Sequence, residues 1–452
     1  MGASELILEQ YGALITARLQ QRDPSWLKQL REAAFARLQQ TGLPNKRWES
    51  WHYSAADFWL TQFAATHTLA PITPDESATQ STSELPAGHV VHFNHGYLID
   101  QQIQHGERPN FENEHGFALL PLAQLDSKQH ASFIEWLRNT VPVDPLANLA
   151  LALAPETWVL IVEADARVKQ PIIFSHRNTQ QGSQISQVLV WMQPGAEATI
   201  VEHFAAADSA AEYLQHAHTA LHLQRNSKLT YVRVNRDASQ GQHLGVLDAE
   251  LARDAKLQLQ VLENGCGPQQ RNRIRNGVYV KLAEPNAEFI ARGAFAASDM
   301  QHVDYHFCVD HCSDHGRSDI LIQGLAADKS RGIVNGRIHI AANTRGNDGH
   351  FTTHNLLLSA DAEIDAKPEL EIYADEVSCA HGATIGQLDE EQLLYLQTRG
   401  IDRAQAIALL TEGFLKAGLL DCTALNHNNS NLNAFLAQQL LEALPLGEVS
   451  HD

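Results

Sequence analysis

Residues 219–263 read TALHLQRNSKLTYVRVNRDASQGQHLGVLDAELARDAKLQLQVLE, a series of short runs in which apolar and polar residues alternate. This alternation has the period of two that is typical of a β-strand with one buried face. Turn-forming Asn, Asp and Gly residues separate the runs. From about Trp158 to Val377 the chain keeps this character and shows almost no helical periodicity. The region is therefore predicted to consist of many short strands.

A short motif recurs along this region: a turn-forming or polar residue, then Ala or Ser, then a charged residue that begins an extended run. The seven copies have the middle residues Ala166, Ala196, Ser227, Ala255, Ala287, Ser330 and Ala362. Subtracting successive residue numbers gives steps of 28 to 32, with one step of 43. A repeat of this length is typical of a solenoid, whose coils bury their inner faces only by stacking. We predict a parallel β-helix, with a β-sandwich of evenly spaced hairpins as the alternative.

Helical periodicity returns on both sides of the strands, at the N-terminus and from about Asp389 onward. The predicted fold class is mainly β, a parallel β-helix (solenoid) core flanked by N-terminal and C-terminal helical domains. We predict a mainly helical domain over 1–155, the β-helix over 156–377 and helices over 378–452. A Ser-, Thr-, Pro- and acid-rich stretch near 70–88 is predicted to be a mobile loop. The C-terminal helices are expected either to pack on the solenoid end or to bind a partner.

Composition excludes several classes of protein. The formal net charge is −20, so the average surface repels nucleic acid and anionic membranes. The sequence has no apolar run of the ~18 residues that a membrane helix needs, and the N-terminal segment lacks the cations of a signal peptide. Its five cysteines are an odd number in a long chain, unlike a disulfide framework. We therefore expect a cytoplasmic protein that binds neither nucleic acid nor membrane.

Cys379-Ala380-His381 is the first candidate site. In an extended strand Cys379 and His381 would point to the same face, and a thiolate with an imidazole suits iron or zinc. A closed tetrahedral site needs four ligands, and the neighbouring sequence supplies no others. The pair is thus predicted to be half of a shared site or no site.

A second candidate is the segment HVDYHFCVDHCSDHG, residues 302–316. Alternation places the following potential ligands on one strand face: His302, Asp304, His306, Cys308 and Asp310. His311, Cys312 and His315 are expected to follow in a turn. A mononuclear metal site would be chemically plausible, whereas a solvated outer face of a β-helix strand is favoured because the spacing matches no established zinc motif.

Residues 355–401, NLLLSADAEIDAKPELEIYADEVSCAHGATIGQLDEEQLLYLQTRGI, resemble the signature region of the SufB/SufD family of iron–sulfur cluster assembly scaffold proteins. GIVNGRIHIA at 332–341 and GLPNKRWESWHYS at 42–54 resemble two further family segments. Gly, Ala and Thr follow His381, where SufB-like chains typically have Glu and Ala. This difference favours the SufD branch of the family.

The resemblance implies a right-handed β-helix and a non-catalytic scaffold subunit of a SufBCD-type complex. The implied partners are a SufB-like paralogue and a SufC-like ABC ATPase, the latter held by the C-terminal helices from about Asp402 onward, with a homodimer when the chain is isolated. His381 would face the paralogue where the transient iron–sulfur cluster forms, with Cys379 beside it. A reduced flavin (FADH2) would take part in the full complex, and this chain alone would bind no cofactor tightly.

Two alternatives to this function stay open on the sequence. The first is a stand-alone metal-dependent enzyme that uses His302, His306, Cys308 and His311, with Cys312 nearby. The second is a purely structural adaptor in which His381 has no ligand role.

Overall fold

A computed structural model describes residues 3–20, 23–66, 85–99, 116–126, 128, 130–140, 142, 144–178, 182–206, 212–263, 270–419 and 430–444. Residues 70–84 of the predicted mobile loop lie outside these ranges.

Two long sheets form the centre of the protein. The first sheet has ten strands: β1 (His89–Asn94), β2 (Tyr97–Leu98), β5 (Ile172–Asn178), β7 (Glu197–Ala206), β9 (Lys228–Arg236), β11 (Lys256–Glu263), β13 (Glu288–Ala297), β15 (Arg317–Ala326), β17 (Asn347–Leu357) and β19 (Val377–Gly386). The second sheet has nine: β3 (Phe117–Pro121), β4 (Thr157–Val162), β6 (Gly182–Met192), β8 (Tyr213–Leu223), β10 (Gln242–Leu251), β12 (Arg273–Leu282), β14 (His302–His311), β16 (Arg331–Ile340) and β18 (Glu363–Ile372).

The chain alternates between the sheets, and from β4 onward each strand pairs in parallel with the strand two places later. This confirms the parallel β-solenoid and excludes the sandwich of hairpins, whose strands would be antiparallel. At the start of the first sheet, β1 and β2 pair antiparallel as a short hairpin. The ladder runs from β1 to β19, so it includes strands on both sides of the interval 156–377; the predicted domain limits stay predictions.

The repeated motif marks a corner of each coil. Asp165, Asn226, Asp254 and Asn286 have φ between 56° and 61°, the left-handed region that Asn and Asp tolerate better than most residues. The Ala or Ser that follows each of them is buried or nearly so, and the next coil stacks directly upon it. A larger side chain at that position would hold neighbouring coils apart.

The long step of 43 residues arises from a mixture of two corners. Strand pairing places Gly316 and Asn347 level with Ala287 in the first sheet. Ser330 and Ala362 instead precede strands β16 and β18 of the second sheet. The copies of the motif up to Ala287 therefore lie at one corner of the coil, and those from Ser330 onward lie at the other. The coil that contains β14 has no insertion.

Eight helices of the described residues cover the outer faces: α1 (Ala3–Leu19), α2 (Ser25–Thr41), α3 (Ala56–Thr66), α4 (Ala131–Asn139), α5 (Pro145–Leu153), α6 (Glu390–Thr398), α7 (Arg403–Lys416) and α8 (Ser430–Ala443), with 3₁₀ turns at Glu49–Trp51 and Leu122–Gln124. No helix in these ranges is both long and apolar enough to cross a bilayer.

Three hydrophobic cores hold these layers together. The largest fills the lumen between the two sheets. The second joins the N-terminal helices to the outer face of the second sheet. The third packs Leu415 of α7 and Leu436 of α8 with Val232 and Leu262 on the outer face of the first sheet. Of the two alternatives for the C-terminal helices, packing on the solenoid end is therefore wrong for α7 and α8, which lie along its side.

A buried arginine on the second sheet binds the N-terminal helical layer through hydrogen bonds. The guanidinium of Arg275 donates to Asp304 Oδ2 at 2.6 Å, to Ser54 Oγ at 2.7 Å and to the Ser50 carbonyl at 2.9 Å. It lies 4.0 Å from the centre of the Trp51 ring. Because both charges are almost fully buried, each depends on the other to offset its lost hydration.

We expect Arg275→Met to destabilise the protein strongly. The substitution leaves the Asp304 carboxylate buried without its cation, which costs roughly 3–5 kcal/mol when one partner of a buried pair is removed. The free energy of unfolding in urea, followed by tryptophan fluorescence, measures the loss.

Arg345→Met is the matched control, because its side chain is 69% exposed and 3.4 Å from Asp314. An exposed pair is worth at most about 1 kcal/mol. Equal effects of the two substitutions would contradict the role given to Arg275.

Candidate functional site

The last coil is the least covered part of the solenoid. Strand β19 pairs with β17, strand β18 pairs with β16, and no further described strand extends either sheet. Ile372, Tyr373 and Ile385 are large apolar residues at this end that remain exposed. The sequence analysis did not identify these three residues. Once the last coil is known, apolar residues in its strands can be recognised as exposed, because no further coil covers them.

Cys379 and His381 both lie on this last strand. In the parallel register Cys379 is opposite Gly349 and His381 is opposite Phe351, a residue of the lumen core. Cys379 is partly buried and packs on that core, whereas His381 is exposed because no described coil follows it. The structure therefore places both on the lumen-facing side of the strand, as the alternation predicts.

The chemistry of this pair fits part of a metal site. Burial raises the pKa of the Cys379 thiol, and the negative charge of Asp348 adds to the increase. A thiol in this environment becomes a good ligand only when a cation stabilises the thiolate. Among the described residues no three His, Cys, Asp or Glu side chains are grouped so as to hold a metal ion. Cys379 and His381 can thus supply at most part of a ligand set.

The cluster around β14 has a different environment from the one predicted. His302, His306 and Cys308 lie on the outer face of the second sheet but are only 6–8% exposed. The favoured prediction of a solvated face is therefore wrong, because the N-terminal layer covers it around Asp304 and Arg275.

The remaining members of the cluster are separated from these side chains. His311 ends β14 on the opposite, lumen-facing side, where it contacts Ser318 Oγ at 2.8 Å and Asn347 Oδ1 at 3.2 Å. It belongs to the strand and not to the turn that was expected. Cys312 is exposed beyond the strand end. The set His302, His306, Cys308, His311 and Cys312 is therefore not brought together, and this arrangement does not favour the stand-alone metal enzyme.

Burial also shifts the pKa values of His302, His306 and Cys308. It lowers the pKa of His302 to about 4 and that of His306 to about 3, and it raises the pKa of Cys308 to about 11. His306 Nε2 is 3.3 Å from Cys308 Sγ. These groups are consequently neutral near pH 7 and serve as packing elements between the sheet and its cover.

The comparisons with known proteins indicate one family. A family model described as SUF system FeS cluster assembly, SufBD core domain, matches residues 174–414. The iron-sulfur cluster assembly protein SufD of Escherichia coli strain K12 is 25% identical over 413 residues, 90% of this chain and 90% of that protein. An iron-sulfur cluster assembly SufBD family protein of Synechocystis is 23% identical over 407 residues, 87% of this chain and 86% of that protein. The chloroplastic protein ABCI7 of Arabidopsis thaliana is 26% identical over 272 residues, 58% of this chain and 56% of its own length.

We expect His306→Gln to weaken the acid sensitivity of the fold. As the pH falls from about 6.5 to about 3, the unfolded chain binds a proton at His306 that the folded protein does not bind. The free energy of unfolding should therefore decrease by about 1.4 kcal/mol for each unit that the pH falls, from this group alone. Urea unfolding at several pH values between neutral and about pH 4 measures the slope.

His52→Gln is the control, since this exposed side chain meets water in both states. It should leave the slope unchanged. A His306→Gln slope equal to that of the unaltered protein would show that the imidazole is not buried as neutral.

Proposed function

Because the chain belongs to the SufBD family of iron–sulfur cluster assembly proteins, we propose that it is a non-catalytic scaffold subunit of a SufBCD-type complex. The observation that carries this proposal is the last coil, where Cys379 and His381 lie next to two sheet edges that no described strand covers. An incomplete ligand pair at an open edge is suited to a site completed by another subunit.

The proposed partner at this end is a SufB-like paralogue. An unpaired strand edge and exposed apolar side chains are both costly to leave in water, and a second solenoid end could cover both. Ile372, Tyr373 and Ile385 supply the apolar surface. Backbone groups of β18 and β19 supply the hydrogen-bonding edge.

The nascent iron–sulfur cluster is the cargo of this interface. His381, exposed on the lumen-facing side of the last coil, would bind iron or donate a hydrogen bond to a ligand of the paralogue. Cys379, more deeply placed, would support it. The remaining ligands would come from the partner, since the described residues hold no complete set.

We propose that the SufC-like ATPase docks on α6 and α7. Leu394 and Tyr395 of α6 and Leu409 of α7 are exposed apolar residues on neighbouring helices. The apolar face of α8 is used differently, because Leu432, Leu436 and Leu440 are buried against the first sheet. The available apolar surface of the C-terminal region therefore centres on α6 and α7, whereas most of the apolar face of α8 is already buried.

Other parts of the assignment stay predictions. The cytoplasm is the proposed compartment, and a homodimer through the uncovered coil is proposed for the isolated chain. The reduced flavin is a prediction for the assembled complex, since nothing among the described residues is specific to it.

We expect His381→Ala to impair cluster formation in the complex reconstituted anaerobically with its two partners. Loss of a ligand or of a residue that orients one typically lowers metal affinity or activity by about tenfold or more. Cluster absorbance measures formation, and size-exclusion chromatography checks that the subunits still assemble.

His350→Ala is the matched control for this substitution. His350 is partly exposed on the adjacent strand β17, but it is one residue out of phase with His381 and contacts Asp348 on the opposite face. Normal cluster formation by the His381→Ala complex would refute the ligand role and favour the structural adaptor.

We expect Leu394→Asp combined with Leu409→Asp to weaken ATPase binding by about tenfold or more, because each carboxylate would have to be desolvated in the interface. Leu441→Asp on α8, which is also exposed, should have little effect. Affinity chromatography with the immobilised ATPase distinguishes them. Full binding by the double variant would place the docking surface elsewhere.

A further inference from the structure

A cleft lies between α4 and the outer face of the second sheet. It has a cavity volume of about 110 Å³, and five successive strands, β6 to β14 of that sheet, contribute to its floor. An engineered cavity of about 150 Å³ holds benzene, so this cleft has room for no more than about one ring, and a substituent on that ring would lie toward the open side of the cleft. Boundaries between folding layers are common positions for small-molecule sites.

One end of the cleft is apolar. Trp136 and Leu137 of α4 form its roof, and Leu189 and Ala220 form the floor below them. The Trp136 ring stacks on His222 with the ring centres 4.5 Å apart, so its orientation is held by a second side chain. A flat or branched apolar group would therefore enter a preformed slot.

A chain of hydrogen bonds orients an acidic group at the floor. Thr157 Oγ1 donates to Gln187 Oε1 at 2.8 Å, which directs the Gln187 amide nitrogen to His218 Nδ1 at 2.9 Å. The His218 ring must then accept at Nδ1 and donate from Nε2 to Asp248 Oδ2 at 3.0 Å. The second oxygen, Asp248 Oδ1, accepts no hydrogen bond from any described residue.

The other charged groups of the cleft are engaged with one another. Lys281 Nζ lies 3.4 Å from Glu250 Oε2, and Asp310 Oδ1 lies 3.4 Å from Arg337. The lining holds three carboxylates, those of Asp248, Glu250 and Asp310, against the one ammonium of Lys281. The imbalance is negative, and among the described residues Asp248 is the one of these three carboxylates that forms no ion pair with a Lys or Arg; its contact is the His218 ring.

We propose that this cleft binds a small organic cation, a primary ammonium carried on a single aromatic or branched apolar group. The ammonium donates to Asp248 Oδ1, and the apolar group lies between Trp136 and Ala220. The site does not depend on the proposed scaffold role, because all of its groups belong to this chain and lie on a different face from the last coil.

The test uses the full-length isolated chain and three probes of equal ring size: phenethylamine, phenethyl alcohol and phenylacetate. Isothermal titration calorimetry at neutral pH measures each affinity. The amine should bind about tenfold or more tightly than the alcohol, because its ammonium forms a hydrogen-bonded ion pair with the Asp248 carboxylate whereas the neutral hydroxyl forms only a hydrogen bond, and the anion should bind least.

Two variants assign the binding to the cleft. Asp248→Asn should remove most of the preference for the amine over the alcohol, whereas Asp361→Asn, at an exposed corner, should not change it. Ala220→Phe fills the slot and should reduce the affinity for both the amine and the alcohol. Thermal unfolding checks that this variant is folded. The proposal is overturned if the amine and the alcohol bind equally or not at all, or if the amine retains its affinity in Asp248→Asn or in folded Ala220→Phe.

Discussion

Parallel stacking of equal coils is the constraint on which the rest of the structure depends. Each strand in the main ladder pairs with the strands two places before and after it, and the pairing has no offset from β10 through β12 and β14 to β16. To keep this register, the turn between one strand and the next must contain the same number of residues at each equivalent corner. Left-handed Asp and Asn residues followed by a small side chain satisfy this requirement at about the 4.8 Å spacing of neighbouring strands.

The same register forces polar groups in the lumen to find their partners in the adjacent coils. Burial alone would raise the pKa of Glu202, but Arg233 of the next coil, 2.7 Å away, keeps it below its ordinary value. Among the described residues no cation forms an ion pair with Glu263; burial, together with the charge of Asp237, raises its pKa well above the ordinary range, and Tyr305 and Asn235 donate hydrogen bonds to Oε1. The lumen thus holds one carboxylate charged and another neutral, according to which side chain the neighbouring coil presents.

The sequence predicted the parts of the fold that depend on local periodicity. Alternation identified the strands and the shared face of Cys379 and His381, and the recurring corner identified the solenoid. Local patterns could not distinguish the two kinds of corner, because Ala287 and Ser330 occupy similar motifs before different sheets. Nor could they show that β14 is covered. That cover comes from contacts such as Arg275 with Ser54, which join positions 221 residues apart and leave no periodic signal.

A stack of coils has two ends at which strands lack a neighbouring coil, and the two ends of this solenoid differ. At the first end β3 pairs antiparallel with β4, and the two-residue strand β2 closes β1 as a hairpin, so the edge there is short. At the other end β18 and β19 each run for 10 residues, and no described strand pairs with their free edges. A long open edge is normally avoided because it invites pairing with another chain. Its retention beside Cys379 and His381 is understandable under the proposed function, since the paralogue that covers the edge would also supply the other ligands proposed for the nascent cluster.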